Sequence, residues 1–447
     1  MLAKGRVLNF LKIPPAAILE NSNHSRRLST EDVLERERKY AAHNYHPLPV
    51  ALSKGEGVFL WDVEGKRYFD YLSGYSANNF GHCHPSIVKA IQQQSAILHH
   101  TSRAFFSDVL GEYARIVTRL FGYDKLLPMN TGVEADETAC KLARKWGYRK
   151  KNIPKNQAVI LFAQENFWGR SLAAVSASTD PTSYEDYGPF MPGFKIIPYD
   201  DLNALEEALK DPNVCAYMVE PIQGEAGIRV PKPGYLKGVR ALCDKYNVLW
   251  IADEIQTGLG RTGRRLAVDY ENARPDVLVL GKALGGGVYP VSACLADDDV
   301  MLVMEPGTHG STFGGNPLGS KVAMEALRVL EEEKLAENAF EMGEIFRDQL
   351  TRDLDKNVVT QVRGKGLLNA IVINRSKSSE AALPKLLVPI FDVADAWDVC
   401  LKLKEHGVLA KHTHEDIIRF APPLVINKGQ LEESVDVIKK VVNSMGK

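Results

Sequence analysis

Val248-Leu249-Trp250-Ile251-Ala252-Asp253-Glu254-Ile255-Gln256 and Val277-Leu278-Val279-Leu280-Gly281-Lys282 decide the fold. Each is a short apolar run that stops abruptly at an ionisable residue, the pattern of a strand buried on both faces of a parallel sheet. Open α/β sheets bind ligands outside the carboxyl ends of their strands. The two runs therefore deliver one carboxylate, Asp253, and one amine, Lys282, to a single crevice.

Further strand-like runs at 158–163, 216–219 and 291–295 alternate with helical patterns between about residues 126 and 316. This alternation predicts an α/β fold whose large domain holds a mainly parallel central sheet flanked by helices. Outside it, a charged helix pattern at 31–42 precedes two β-runs, 58–61 and 67–69, around a Glu64-Gly65 turn. After Pro317 one long helix pattern runs through Ala323, Leu327 and Leu330, followed by a strand at 366–372, a helix at 396–406, a strand at 417–420 and a last helix from Gln430. The division expected is an arm at 1–30, the N-terminal part of a small domain at 31–90, a large domain at 91–330 and the rest of the small domain at 331–447. Residues 376–388, rich in Ser, Ala, Leu and Pro without a clear period, read as a surface insertion.

Composition narrows the partners. Lys plus Arg number 55 against 56 Asp plus Glu, a net charge of −1, so no overall field draws nucleic acid or an anionic membrane. No uncharged apolar run has the length of a membrane span. Six cysteines, Cys83, Cys140, Cys215, Cys243, Cys294 and Cys400, include no CxxC pair, which argues for free thiols in a reducing compartment and against a disulfide framework or a zinc site. The first thirty residues carry Lys4, Arg6, Lys12, Arg26 and Arg27 against Glu20. They fit a mitochondrial transit segment or a polar arm on a cytoplasmic enzyme, and both locations stay open.

Thr131-Gly132-Val133-Glu134 has the spacing of a capping box, with Val133, Ala139, Leu142, Ala143 and Trp146 following at helical intervals. A glycine at a helix start lets backbone N–H groups close on a phosphate, although a well-capped helix alone explains the motif. Residues 309–317 form a second loop of small and hydroxyl residues, His309-Gly310-Ser311-Thr312-Phe313-Gly314-Gly315-Asn316-Pro317, ending in a helix cap. Two such loops suggest a phosphorylated ligand. Gly258-Leu259-Gly260-Arg261-Thr262-Gly263 spells a dinucleotide fingerprint but is a decoy, because five residues separate it from Ala252 and no helix period follows.

Burial of Lys282 lowers its ammonium pKa and makes it a usable amine nucleophile; the plain alternative is a surface lysine at a strand end. A buried Asp253 needs a partner, and a protonated pyridine nitrogen or a neighbouring arginine would serve.

Together the Asp253-to-Gly258 run, the Lys282 strand end and the Ser311-Thr312 loop resemble the class III pyridoxal-phosphate aminotransferases of fold type I. Asn44-Tyr45-His46-Pro47-Leu48-Pro49-Val50, Asn166-Phe167-Trp168-Gly169-Arg170, Val219-Glu220-Pro221-Ile222-Gln223-Gly224-Glu225-Ala226-Gly227 and Arg419-Phe420-Ala421-Pro422-Pro423-Leu424 are similar to the ornithine aminotransferase branch of that family. The resemblance runs from about Glu31 to the C-terminus. It implies pyridoxal 5′-phosphate carried on Lys282, which later moves a proton, with Asp253 at the pyridine nitrogen and Gln256 near the ring hydroxyl. Phe167 and Ile255 then cover the ring faces, the Gly132 and Val133 backbone holds the phosphate, and Ser311 is among the cofactor-binding residues. Thr312 reaches the cofactor of a second copy, which makes the protein a homodimer with active sites at the subunit interface.

The reaction so implied passes the δ-amino group of L-ornithine to 2-oxoglutarate, giving glutamate 5-semialdehyde and L-glutamate. Arg170 and Tyr45 hold the α-carboxylate end of ornithine, and Glu225 neutralises Arg419 until an oxo acid claims that arginine; Tyr75 and Gly310 also match the ornithine pattern. The insertion at 376–388 and Phe313, where tyrosine is common, depart from it. Rival readings are an acetylornithine or 4-aminobutyrate aminotransferase, a glutamate-semialdehyde aminomutase, and a catalytically silent binding protein of the same fold.

Overall fold

The computed structural model describes residues 28–374 and 395–445. The readings made for residues 1–27 and 376–388 lie outside the described residues. Two compact units divide the chain, Met1–Ser53 with Trp61–Lys66 and Lys54–Leu60 with Arg67–Lys447.

In the first unit the charged pattern forms a helix, Thr30–Tyr40, with no buried residue. Ser29 caps it, accepting the Asp32 N–H at 3.2 Å while the Asp32 carboxylate accepts the Ser29 N–H at 3.0 Å. Thr30 donates its N–H and hydroxyl to the Glu64 carboxylate at 2.6 and 2.7 Å.

Strands β1 (Leu52–Glu56), β2 (Phe59–Asp62) and β3 (Arg67–Asp70) follow in the chain. The large sheet then draws on β4 (Lys125–Met129), β5 (Val159–Ala163), β6 (Phe194–Ile197), β7 (Val214–Val219), β8 (Leu249–Asp253), β9 (Val277–Leu280) and β10 (Ser292–Ala296), in the order β4-β10-β9-β8-β7-β5-β6. Only β10 runs antiparallel to its neighbours. Every residue of β7, β8 and β9 is buried, which is why these segments read as continuous apolar runs rather than alternating ones.

Register settles where their ends fall. Ala252 pairs with Val219, and Asp253 pairs with Val279. The residues just past β7, β8 and β9 therefore emerge along one edge of the sheet. Against one face lies the helix Gly132–Arg149, whose Ala135, Ala139, Leu142, Ala143 and Trp146 pack with Ile160, Phe162, Met218, Ile251 and Val279.

The long helix pattern after Pro317 is two helices, Pro317–Glu332 and Leu335–Asp353. The apolar period continues across the junction, but Lys334 takes a left-handed φ of 52°, which stops the first helix before the second begins. A smaller antiparallel sheet follows, from β11 (Val359–Lys365), β12 (Leu368–Ile373), β14 (Lys411–Thr413) and β15 (Ile417–Phe420), in the order β11-β12-β15-β14. The short β13 (Val408–Leu409) pairs in parallel with β3. The last helix, Lys428–Ser444, starts two residues ahead of the expected Gln430 because Asn427 and Gln430 form a capping box.

The glycine-rich decoy at 258–263 is a buried turn: the Gly258 N–H returns to the Glu254 carbonyl at 2.9 Å, and Gly260 and Gly263 have φ of 86° and 90°. No helix begins inside it. All six cysteines are free thiols, and all but Cys83 are buried. Among the described residues no helix is long and apolar enough to cross a membrane.

Candidate active site

A cavity of about 220 Å³ opens at the carboxyl edge of β5, β7, β8 and β9, with Asp253, Glu220, Lys282, Phe167, Ile255 and Gln256 in its wall. Each side chain arrives by the same local rule: a buried strand ends, and the next one to four residues turn over the sheet edge. Glu220 follows β7, Asp253 ends β8, Lys282 lies two residues past β9, and Phe167 lies four past β5.

Lys282 is in the left-handed region at φ 43°, a conformation that costs a non-glycine residue about 1 kcal/mol or more and points to a site where packing overrides local preference. The lysine keeps part of its surface open to the pocket. Enough protein surrounds its amine that burial lowers the ammonium pKa, against the opposing pull of Asp253, Glu220 and Glu225. Burial in turn raises the carboxyl of Asp253, although Oδ1 accepts the Ile255 N–H at 3.0 Å and Lys282 is near.

Glu220 was quoted in a motif but given no role by sequence reasoning, and its geometry supplies one. Oε1 accepts the Phe167 N–H at 3.0 Å and Oε2 accepts the Gly224 N–H at 3.1 Å, so this carboxylate ties two walls of the cavity together. Burial, then the charge of Asp253, raise its pKa.

Asp136 was missed altogether. It lies in the buried face of helix Gly132–Arg149, and an acid in an apolar stripe, three residues before Ala139, was the signal that could have found it.

At the start of that helix Glu134 accepts the Thr131 N–H at 2.6 Å and its hydroxyl at 3.0 Å, fixing the turn that presents Gly132 and Val133 to the cavity. A Cβ on Gly132 would sit 3.0 Å from Ile255 Cδ1, so the absence of a side chain there keeps the space open. Ser311 and Thr312 do not line this cavity. Ser311 Oγ accepts from Asn130 Nδ2 at 2.9 Å and from the Gly314 N–H at 3.0 Å, whereas Thr312 is exposed.

On the other side Arg419, in β15, is 4% exposed and donates from Nη1 to Glu225 Oε2 at 2.8 Å. Its guanidinium carbon lies 5.0 Å from the Tyr75 ring centroid. Glu225 is carried by the loop after β7, whose Ile222 and Ile228 pack on Leu368, Ala370 and Ile417 of the small sheet. Arg170 has its guanidinium carbon 5.2 Å from the Phe167 ring centroid and donates to Ser183 Oγ at 2.6 Å. Tyr45 belongs to the first unit and is exposed, and Gly310 is also exposed.

Residues 40–442 match the aminotransferase class-III family, and the chain belongs to it. Over 416 residues, 93% of this chain and 92% of the other, it is 68% identical to the mitochondrial ornithine aminotransferase of Drosophila melanogaster. It is 62% identical to that of Rattus norvegicus over 93% of this chain and 91% of the other. The crystal structure of the ornithine aminotransferase from Toxoplasma gondii superposes with a TM-score of 0.89 at 48% identity, covering 94% of this chain and 96% of that one. The fold is that of the fold type I transferases, and the protein is a pyridoxal-phosphate-dependent aminotransferase.

The residues present fit that cofactor. Gln256 Oε1 is buried with no hydrogen-bond partner among the described residues, and both oxygens of Asp136 are in the same condition. A pocket holding orphaned acceptors, one partly buried amine and a helix N-terminus is complementary to a phosphorylated, polar-edged aromatic ring.

Proposed function

We propose that this chain passes the δ-amino group of L-ornithine to 2-oxoglutarate at the pocket around Lys282, in two half-reactions that use one site in turn. The products are glutamate 5-semialdehyde, which cyclises, and L-glutamate. The names of the relatives support the substrate, and the Glu225–Arg419 pair near the partly buried Lys282 is the observation that carries the reading.

Pyridoxal phosphate, when bound, would supply a carbonyl for the amino group and a ring able to withdraw electrons when its nitrogen is protonated. Lys282 would hold it through its amine, whose ammonium form burial disfavours, and would later move a proton at the substrate carbon. Asp253 would keep the proton on the ring nitrogen, and Gln256 would meet the ring hydroxyl. Phe167 and Ile255, both in the cavity wall, would cover the ring faces. The N–H groups of Gly132 and Val133 would take the phosphate, and Ser311 and Thr312, which lie outside this cavity, would serve the cofactor, Thr312 across the interface of a homodimer.

Arg170 and Tyr45 take the α-carboxylate of ornithine, which leaves the distal amine to meet the reacting carbon, while Glu225 keeps Arg419 neutralised and Tyr75 covers it. With 2-oxoglutarate, Glu225 releases Arg419 to the α-carboxylate and Arg170 takes the distal one. Arginine suits both posts because its planar fork matches a carboxylate with two parallel hydrogen bonds. The mitochondrial names of the relatives support a mitochondrial site for the reaction.

The test is an absorption spectrum of the purified protein. The cofactor band is lost on ornithine and returns on 2-oxoglutarate, and borohydride followed by peptide mapping places the cofactor on Lys282. An o-aminobenzaldehyde-reactive product separates ornithine from acetylornithine or 4-aminobutyrate as substrate. An unmodified Lys282, or a band indifferent to ornithine, overturns the proposal.

A further inference from the structure

Asp136 is the pocket residue that this reading leaves without a task. None of its surface reaches solvent, yet it lines the same cavity as Lys282 and Asp253. Both of its carboxylate oxygens lack a hydrogen-bond partner among the described residues.

The other acids of the cavity are served. Glu220 accepts two backbone N–H groups, Asp253 accepts one, and Glu225 faces Arg419. A buried carboxylate with no donor is among the most costly charges a protein can hold, so Asp136 takes a proton before the others do. The same direction follows from its surroundings. Burial, then the charges of Asp253 and Glu220, push its carboxyl well above the ordinary range; Lys282 opposes them and Glu137 adds to them. Cys140 on its own helix and Cys294 on β10 also face it, both with thiols raised by burial.

An acid held uncharged is no longer only an acceptor; it becomes a hydrogen-bond donor. We propose that Asp136 is a positioning residue for the cofactor, its carboxyl O–H donating into the pocket beside Asp253 so that Asp253 alone presents charge to the ring nitrogen. The assignment rests on the cofactor pocket proposed above.

Unmodified protein, Asp136→Asn and Asp136→Leu are compared as holoenzymes and after cofactor removal, with Asp136→Ala standing in should the leucine variant not fold. Three readouts are taken: the Kd for added pyridoxal phosphate, the pH titration of the bound cofactor's visible band, and the Tm of the cofactor-free protein. Asparagine keeps an uncharged donor, so its Kd stays within about twofold and its titration does not move. Leucine removes the donor, so the cofactor binds about tenfold more weakly. Its band titrates at a displaced pH, and its cofactor-free Tm is equal or higher because a buried orphan is gone.

A titration displaced by asparagine as by loss of a negative charge means that Asp136 is ionised, and overturns the proposal. A leucine variant that matches the unmodified protein in Kd and titration makes the carboxyl merely structural, and overturns it too. Failure of the unmodified protein to bind pyridoxal phosphate defeats the pocket assignment itself and is visible before any variant is made.

Discussion

Arg419 and Glu225 form an unequal pair across 2.8 Å: the arginine side chain is 4% exposed and the glutamate side chain 37%. The arginine sits in β15, where it is paired with Ala370 on one side and Lys411 on the other. Glu225 is held through its backbone, since the Thr413 hydroxyl donates to its carbonyl at 2.8 Å and Arg363 donates to the Gly227 carbonyl at 2.7 and 2.9 Å. With the loop tied and the carboxylate reaching water, the side chain of Glu225 is the part able to swing.

Glu225→Ala leaves a buried guanidinium without its counter-charge, so an incoming oxo acid no longer competes with an internal carboxylate. The partial exposure of Glu225 tempers the gain. We expect the ratio of the ornithine to the glutamate half-reaction to shift about tenfold toward glutamate, with the fold intact. Single-turnover spectra that return an unchanged ratio would refute a gating role.

Lys282→Ala removes the amine proposed to hold the cofactor and to move the proton. The rate falls by at least about three orders of magnitude, on the scale of losing a positioned acid–base group. Asp253→Asn keeps the shape but removes the charge proposed to face the ring nitrogen, and kcat is expected to drop about a hundredfold or more. Steady-state kinetics on both variants check this; near-normal kcat in either one removes that residue from the chemistry.

Gly224→Ala tests how tightly the cavity wall is built. A Cβ there would lie 1.6 Å from Gln256 Oε1, so the flexible end of Gln256 must move while the backbone need not. The expected result is a Tm within a few degrees of the unmodified protein but a cofactor Kd raised several-fold, about 1 kcal/mol. Equilibrium titration of the cofactor measures it, and unaltered affinity would show that Gln256 does not matter to binding.

Glu254, next to Asp253, points away from the chemistry and accepts from the Thr257 hydroxyl and from the Val268 N–H at 2.9 Å. Burial pushes its pKa up from 4.5 to about 7, so the folded state binds this proton more tightly than the unfolded chain. Its stabilising contribution is full below about pH 4.5 and is lost as pH rises through 7, a change on the order of 3 kcal/mol. Glu254→Gln lacks that titration. The stability advantage of the unmodified protein over the variant is therefore largest near pH 5 and shrinks toward pH 8 in urea unfolding; a constant difference would sink the argument.

Much of this was legible along the chain because two features are local. Buried parallel strands must be apolar throughout, so β7, β8 and β9 announce themselves, and a charge at such a strand's end stands out against its lead-in. Cap signals are equally local, as at Thr131 and Asn316. The division after Glu332 was not legible, because the apolar period continues and only the left-handed backbone at Lys334 separates the two helices.

By itself, then, the order of residues determined which strands are buried, which helix starts have their caps, and that Asp253 and Lys282 reach one sheet edge. Tertiary structure alone decided that Glu220 ties two loops and that Asp136 lies unpartnered in the pocket. The reason is physical: burial pattern and capping depend on neighbours a few residues away. Which buried carboxylate finds a donor depends on groups that the chain brings together only when its sheets have packed.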